Sequence, residues 1–90
     1  MVKGNKKLSM ARAKSLIMET LPMTAGSPAN IDSLRHAFFY DCKTIGYNVT
    51  SDDFNEALAQ LSDEQCLVVF QAVSQVRPTQ YGINKYCSFD

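Results

Sequence analysis

The sequence predicts a mainly α-helical domain that closes with a small C-terminal β-hairpin. Three observations predict it. Apolar residues recur at helical spacing in three successive segments between Ser9 and Leu61, each opened by a residue able to cap a helix. The chain changes character after Cys66, where four valines and Phe70 crowd into residues 66–76. Its 90 residues, 46% apolar and 20% charged, suit one hydrophobic core and no second domain.

Residues 1–8 are polar and basic and include Gly4, so they read as a flexible basic arm before a single domain over 9–90. Ser9 is placed to cap a first helix with Ala13, Leu16, Ile17 and Leu21 on one face, and Pro22 ends it. The stretch from Pro22 to Ala29 holds two prolines, Gly26 and Ser27, and reads as a loop. Asn30 can cap a second helix whose apolar positions are Ile31, Leu34, Ala37, Phe38, Cys42 and Ile45, with Gly46 as its left-handed terminator. In the third helix Thr50 and Asp53 form a capping box, Val49 can staple against Phe54, and Phe54, Ala57, Leu58 and Leu61 make the core face.

Residues 66–76 fit two descriptions. Val68, Phe70 and Ala72 alternate with polar residues as in a strand, yet Cys66, Val69, Phe70 and Val73 also share a helix face that Ser62 and Gln65 could cap. The density of β-branched residues and the short run favour the strand, whose hairpin partner is then Tyr81 to Phe89, with the turn over 77–80. The helical reading gives an all-α four-helix bundle instead.

Leu58 and Leu61, three apart on the third helix, precede Cys66 and Leu67 at the opening of the strand, and Tyr81 and Ile83 are available to the return strand. With three helices followed by a hairpin, residues 9–86 resemble the winged-helix branch of the helix-turn-helix families. Gln65 stands where that family usually has glycine, at a position whose positive φ costs glutamine. The resemblance implies a three-helix winged helix whose third helix enters the DNA major groove, exposing Ser51, Asp52, Asn55, Glu56 and Gln60.

Charge modifies that expectation. Nine basic and nine acidic residues cancel, but residues 1–20 hold five bases against Glu19, and residues 50–65 hold five acids and no base. Asn55 and Gln60 have the amide chemistry to read adenine, whereas Asp52, Asp53 and Glu56 would face phosphates unaided. DNA contact is therefore expected to be mainly with phosphates, through arm residues Lys3, Lys6 and Lys7, first-helix residues Arg12 and Lys14, and Arg77 and Lys85 near the hairpin. A small regulatory DNA-binding protein is slightly favoured. The alternative is a protein-binding adaptor or inhibitor using Phe39 and Tyr40 of the second helix with Asp52 and Glu56 of the third, as a homodimer if it self-pairs. Phe39 and Tyr40 widen the apolar side of that helix, as an exposed patch or as a helix buried on several sides.

No enzymatic constellation is evident. His36, the sole histidine, lies four residues after Asp32 and is expected to pair with it on the surface. His36, Cys42, Cys66 and Cys87 lack the close ligand pairs of a zinc site, and there is no glycine-rich phosphate loop, so neither metal, cofactor nor small-molecule substrate is expected. Three scattered cysteines, no apolar leader and no membrane-length apolar run give the expectation of a soluble cytoplasmic chain.

Overall fold

Three helices begin at the caps the sequence singled out. The structure, a computed structural model, describes residues 6–86. Ahead of α1 (Met10–Thr20), the Ser9 hydroxyl accepts the Arg12 N–H at 3.2 Å. Ahead of α2 (Ile31–Thr44), Asn30 Oδ1 accepts the Ser33 N–H at 3.0 Å. At α3 (Ser51–Asp63), Thr50 Oγ1 accepts from Asp53 N at 3.2 Å while Asp53 Oδ2 accepts from Thr50 N at 2.9 Å. Each such cap contributes about 1 kcal/mol by satisfying a donor the helix leaves unpaired.

The apolar faces of these helices converge on one core. Ala13, Leu16, Ile17 and Leu21 meet Ile31, Leu34, Phe38 and Cys42, and both sets meet Phe54, Ala57, Leu58 and Leu61; all are buried. The rings of Phe38 and Phe54 lie 5.4 Å apart and join α2 to α3. Two positions depart from the helical spacing. Ile45 is exposed, because Gly46 turns the chain immediately after it with a φ of 87°. Met18 is buried although it lies off the predicted stripe, because α1 is packed against α2, α3 and a further helix and so buries a wider arc.

Gln65 adopts the left-handed conformation, with φ 63°. Its N–H donates to Ser62 O at 3.0 Å, and the Cys66 N–H donates to Leu61 O at 2.9 Å. These are the two bonds of a Schellman cap, completed by contact between buried Leu61 and Cys66. The sharp exit from α3 is thus made by glutamine, at a cost of about 1 kcal/mol relative to glycine.

Residues 66–76 form strand on either side of a short 3₁₀ turn, so the all-α bundle gives way to a mostly helical chain of four α-helices with a small antiparallel sheet. The hairpin differs from expectation in its turn. β4 (Leu67–Phe70) passes through a single 3₁₀ turn at Gln71–Val73 and a left-handed Ser74 (φ 51°) into β5 (Gln75–Pro78). The register pairs Val68 with Arg77 and Phe70 with Gln75. The return strand is therefore Gln75–Pro78, and Tyr81 belongs to a helix. A third strand, β2 (Ala29–Asn30), closes the stretch read as a loop and adds antiparallel to β5, giving the order β2-β5-β4. Pro78 is accommodated because its carbonyl accepts the Gly26 N–H at 2.9 Å on the side where its own nitrogen has nothing to donate.

α4 (Gln80–Tyr86) replaces the predicted second strand; residues 87–89 of that prediction lie outside the described residues. Thr79 produces the switch. Its N–H donates to Cys66 O at 3.0 Å, and its hydroxyl donates to Gln65 O at 2.7 Å while accepting the Gly82 N–H at 3.0 Å. Ile83 then enters the core. Finally, β1 (Lys6–Lys7) pairs in parallel with β3 (Tyr47–Asn48), so the last part of the segment read as a flexible arm is held as strand. Among the described residues no helix is long and apolar enough to cross a membrane.

Candidate interaction surface

β4 is apolar at every position, but only one of its faces meets the helices. Leu67 turns inward with Val76, while Val68 and Phe70 face outward, 44% and 40% exposed. Val73 on the turn and Tyr81 on α4 are 58% and 56% exposed, so the hairpin and α4 leave large apolar side chains uncovered. Beside β4 a shallow groove of about 500 Å³ is lined by Ser62, Gln65, Leu67, Val68, Thr79 and Tyr81. The Arg77 guanidinium lies 4.8 Å from the centre of the Phe70 ring, a cation–π contact on the outward face. The alternation of Val68 and Phe70 was visible in the sequence. That it marks the exposed face was not.

Behind this surface the charges are organised around Glu64. Lys14 Nζ donates to Glu64 Oε2 at 2.6 Å, and Lys85 Nζ lies 3.7 Å from Oε1. The Lys14 hydrogen bond holds the Glu64 carboxyl below its ordinary range, and the same bond raises the Lys14 ammonium. Lys85 also lies 5.9 Å from the Tyr81 ring centre and 5.7 Å from that of Tyr86. Burial pushes up the Cys66 and Cys42 thiols and the Tyr86 hydroxyl, which keeps all three neutral.

The other expected binding residues are dispersed. Arg12 and Lys7 are exposed, Lys3 lies outside the described residues, and Lys6 is placed by its backbone in β1. Lys14 is mostly covered by its contact with Glu64, with 13% of its side chain exposed. The outer face of α3 presents Asp52, Asn55 and Glu56, with Gln60 Nε2 donating weakly to Glu56 at 3.5 Å, and no base follows in the last turn. On α2, Phe39 packs edge-on to Phe38 with centres 5.8 Å apart, whereas Tyr40 is 71% exposed, so only one of the two aromatics is free. Asp32 pairs with Arg35 at 2.8 Å instead of with His36, because Arg35 reaches back one turn with a longer, forked side chain. Among the described residues no three histidine, cysteine or acidic side chains gather as metal ligands, and Cys87 lies outside them.

Comparison with known proteins adds no relative: no family model, no curated protein and no solved structure matches this chain.

Proposed function

We propose that this chain is a non-enzymatic regulatory domain of winged-helix type that binds protein through the outer face of its hairpin. The scaffold reading is supported by the order of three helices followed by the β4–β5 hairpin, and by Gln65 in the left-handed turn between α3 and β4. One observation carries the choice of partner. Val68, Phe70, Val73 and Tyr81 are exposed on the hairpin and α4, next to a helix whose outer face is acidic and without a base. Apolar surface favours a protein partner, and unneutralised carboxylates on α3 oppose phosphate. The adaptor or inhibitor class is thereby preferred to the DNA reading, with the main contacts moved from Phe39 and Tyr40 to the hairpin.

A second reading, DNA held by phosphate contacts, rests on Lys7 and Arg12, which are exposed and have no carboxylate partner among the described residues. Two measurements separate the readings. A photo-crosslinking residue at Val73 is expected to give protein adducts in cells that make the protein. Duplex binding that falls by roughly tenfold between about 50 and 200 mM salt, as two phosphate contacts dictate, and is lost in Arg12→Glu, would overturn the protein reading.

A further inference from the structure

We infer that the hairpin binds a second copy of this chain, added edge to edge along β4. The inference rests on the reading of the hairpin as a protein-binding surface and names its occupant. The order β2-β5-β4 leaves β4 at the edge of the sheet. Its sequence, Leu67-Val68-Val69-Phe70, carries none of the charges, prolines or glycines that discourage strand addition at an edge.

The backbone fixes the pairing. Because Thr79 donates to Cys66 O, hydrogen-bonded pairs recur at Val68 with Arg77 and Phe70 with Gln75 inside the hairpin. Leu67 and Val69 therefore turn their N–H and C=O groups to the open edge. A two-fold axis through Val68 sets Leu67 of each copy against Val69 of the other, so that both outward pairs of backbone groups are satisfied at once. Val68 then meets its own equivalent at the closest type of cross-strand pair. An edge that is complementary to itself in this way suits an isologous dimer.

The side chains agree with that register. Phe70 of one copy falls opposite Cys66 of the other, beside the groove of about 500 Å³ lined by Ser62, Gln65, Thr79 and Tyr81, which has room for a phenyl ring. Arg77, stacked on Phe70, travels with it toward the end of α3. At that end Lys14 and Lys85 are taken up by Glu64, which leaves the exposed Asp63 as the carboxylate without a base in the last turn of α3. The apolar knob thus brings a positive charge toward Asp63, twice, by symmetry.

Sedimentation equilibrium on the full chain tests this. The wild type is expected to reach twice the monomer mass as concentration rises to about 200 µM, as suits a small, strand-edge interface. Arg77→Glu and Asp63→Arg, each alone, place like charges at both rims and are expected to weaken the dimer by about tenfold or more. Mixing the two variants restores attraction at both rims, so heterodimer is expected to re-form to within about threefold of wild-type affinity. Val68→Lys, at an exposed position, is expected to give a folded monomer by circular dichroism and carries the test if either charge variant unfolds. A wild type that stays monomeric at about 200 µM overturns the self-pairing, as does a mixture no tighter than its components. The failures are distinguishable. A monomer whose Val73 crosslinks to another protein removes only the second copy, whereas salt-dependent duplex binding abolished by Arg12→Glu removes the protein-binding reading itself.

Discussion

Replacing Gly82 with alanine probes how closely α4 is seated on the turn between α3 and β4. A Cβ at this position falls 2.1 Å from the Cys66 carbonyl oxygen and 2.7 Å from its carbonyl carbon and Cα. The obstacle is backbone, pinned by the Schellman bonds of Gln65 and Cys66, so it is α4 that must withdraw, by about 1 Å. Withdrawal breaks the bonds from Thr79 N to Cys66 O (3.0 Å) and from Thr79 Oγ1 to Gln65 O (2.7 Å). Each is worth about 1 kcal/mol, and overpacking of this kind adds roughly 1–3 kcal/mol. Against this stands about 1 kcal/mol of helix propensity gained by alanine over glycine. The net expectation is a loss of about 2–4 kcal/mol, or a fall in Tm of roughly 10–20 °C for a domain of this size. Thermal unfolding followed by circular dichroism reads it directly, and amide exchange should rise across residues 80–86. An unchanged or higher Tm, as propensity alone dictates, would refute the close approach of α4 to Cys66.

Two further changes test the turn and the ion pair. Gln65→Gly relieves the left-handed strain at φ 63° while keeping the backbone bonds to Ser62 and Leu61. It is expected to raise stability by up to about 1 kcal/mol in urea unfolding, and a decrease would mean that the glutamine side chain holds the turn. The Glu64–Lys14 pair is expected to make stability fall at both pH extremes. Glu64 is held below the ordinary 4.5, first by the Lys14 hydrogen bond, so its contribution is full above 4.5 and is lost as pH falls through its lowered value. Lys14 is raised above 10.5, first by the same bond, so its contribution is full below 10.5 and is lost as pH climbs through the raised value. Glu64→Gln should therefore cost about 1 kcal/mol near neutral pH, allowing for solvent screening, and converge on the wild type at a pH below the lowered Glu64 value. An equal difference at both pH values would show that the carboxylate charge is not what stabilises.

What the sequence disclosed depended on how far apart the interacting residues lie. Ser9, Asn30 and Thr50 each bond a backbone group three residues away, so their caps could be read in place. The core faces of α1, α2 and α3 follow helical spacing for the same reason. The hairpin was half legible. β-branched density located a strand, but the turn is built by a 3₁₀ segment and a left-handed Ser74, with no glycine, proline or asparagine at 71–74 to announce it. Ala29 and Asn30 are a strand only because Val76 and Gln75 lie beside them, and a two-residue strand has no periodicity of its own. α4 is seven residues long with Gly82 in its middle, so propensity argues against it and packing on Cys66 decides. At the surface, Lys14 was read as a free cation because Glu64 is 50 residues away in sequence, and the fold spends it on that carboxylate.

The shortness of β2 limits how far strands could accumulate on this sheet. Asn30 is at once the last residue of that strand and the cap of α2, and the next N–H, from Ile31, is already donated to Ser74 O at 2.9 Å. Helix follows strand without an intervening residue, so only Ala29 and Asn30 offer an edge on that side. One flank of the sheet therefore presents four apolar residues for pairing and the other almost none. Pairing along the long flank, as proposed, would close on itself after a single addition, giving a finite assembly where a sheet with two equal flanks would be open to filament formation.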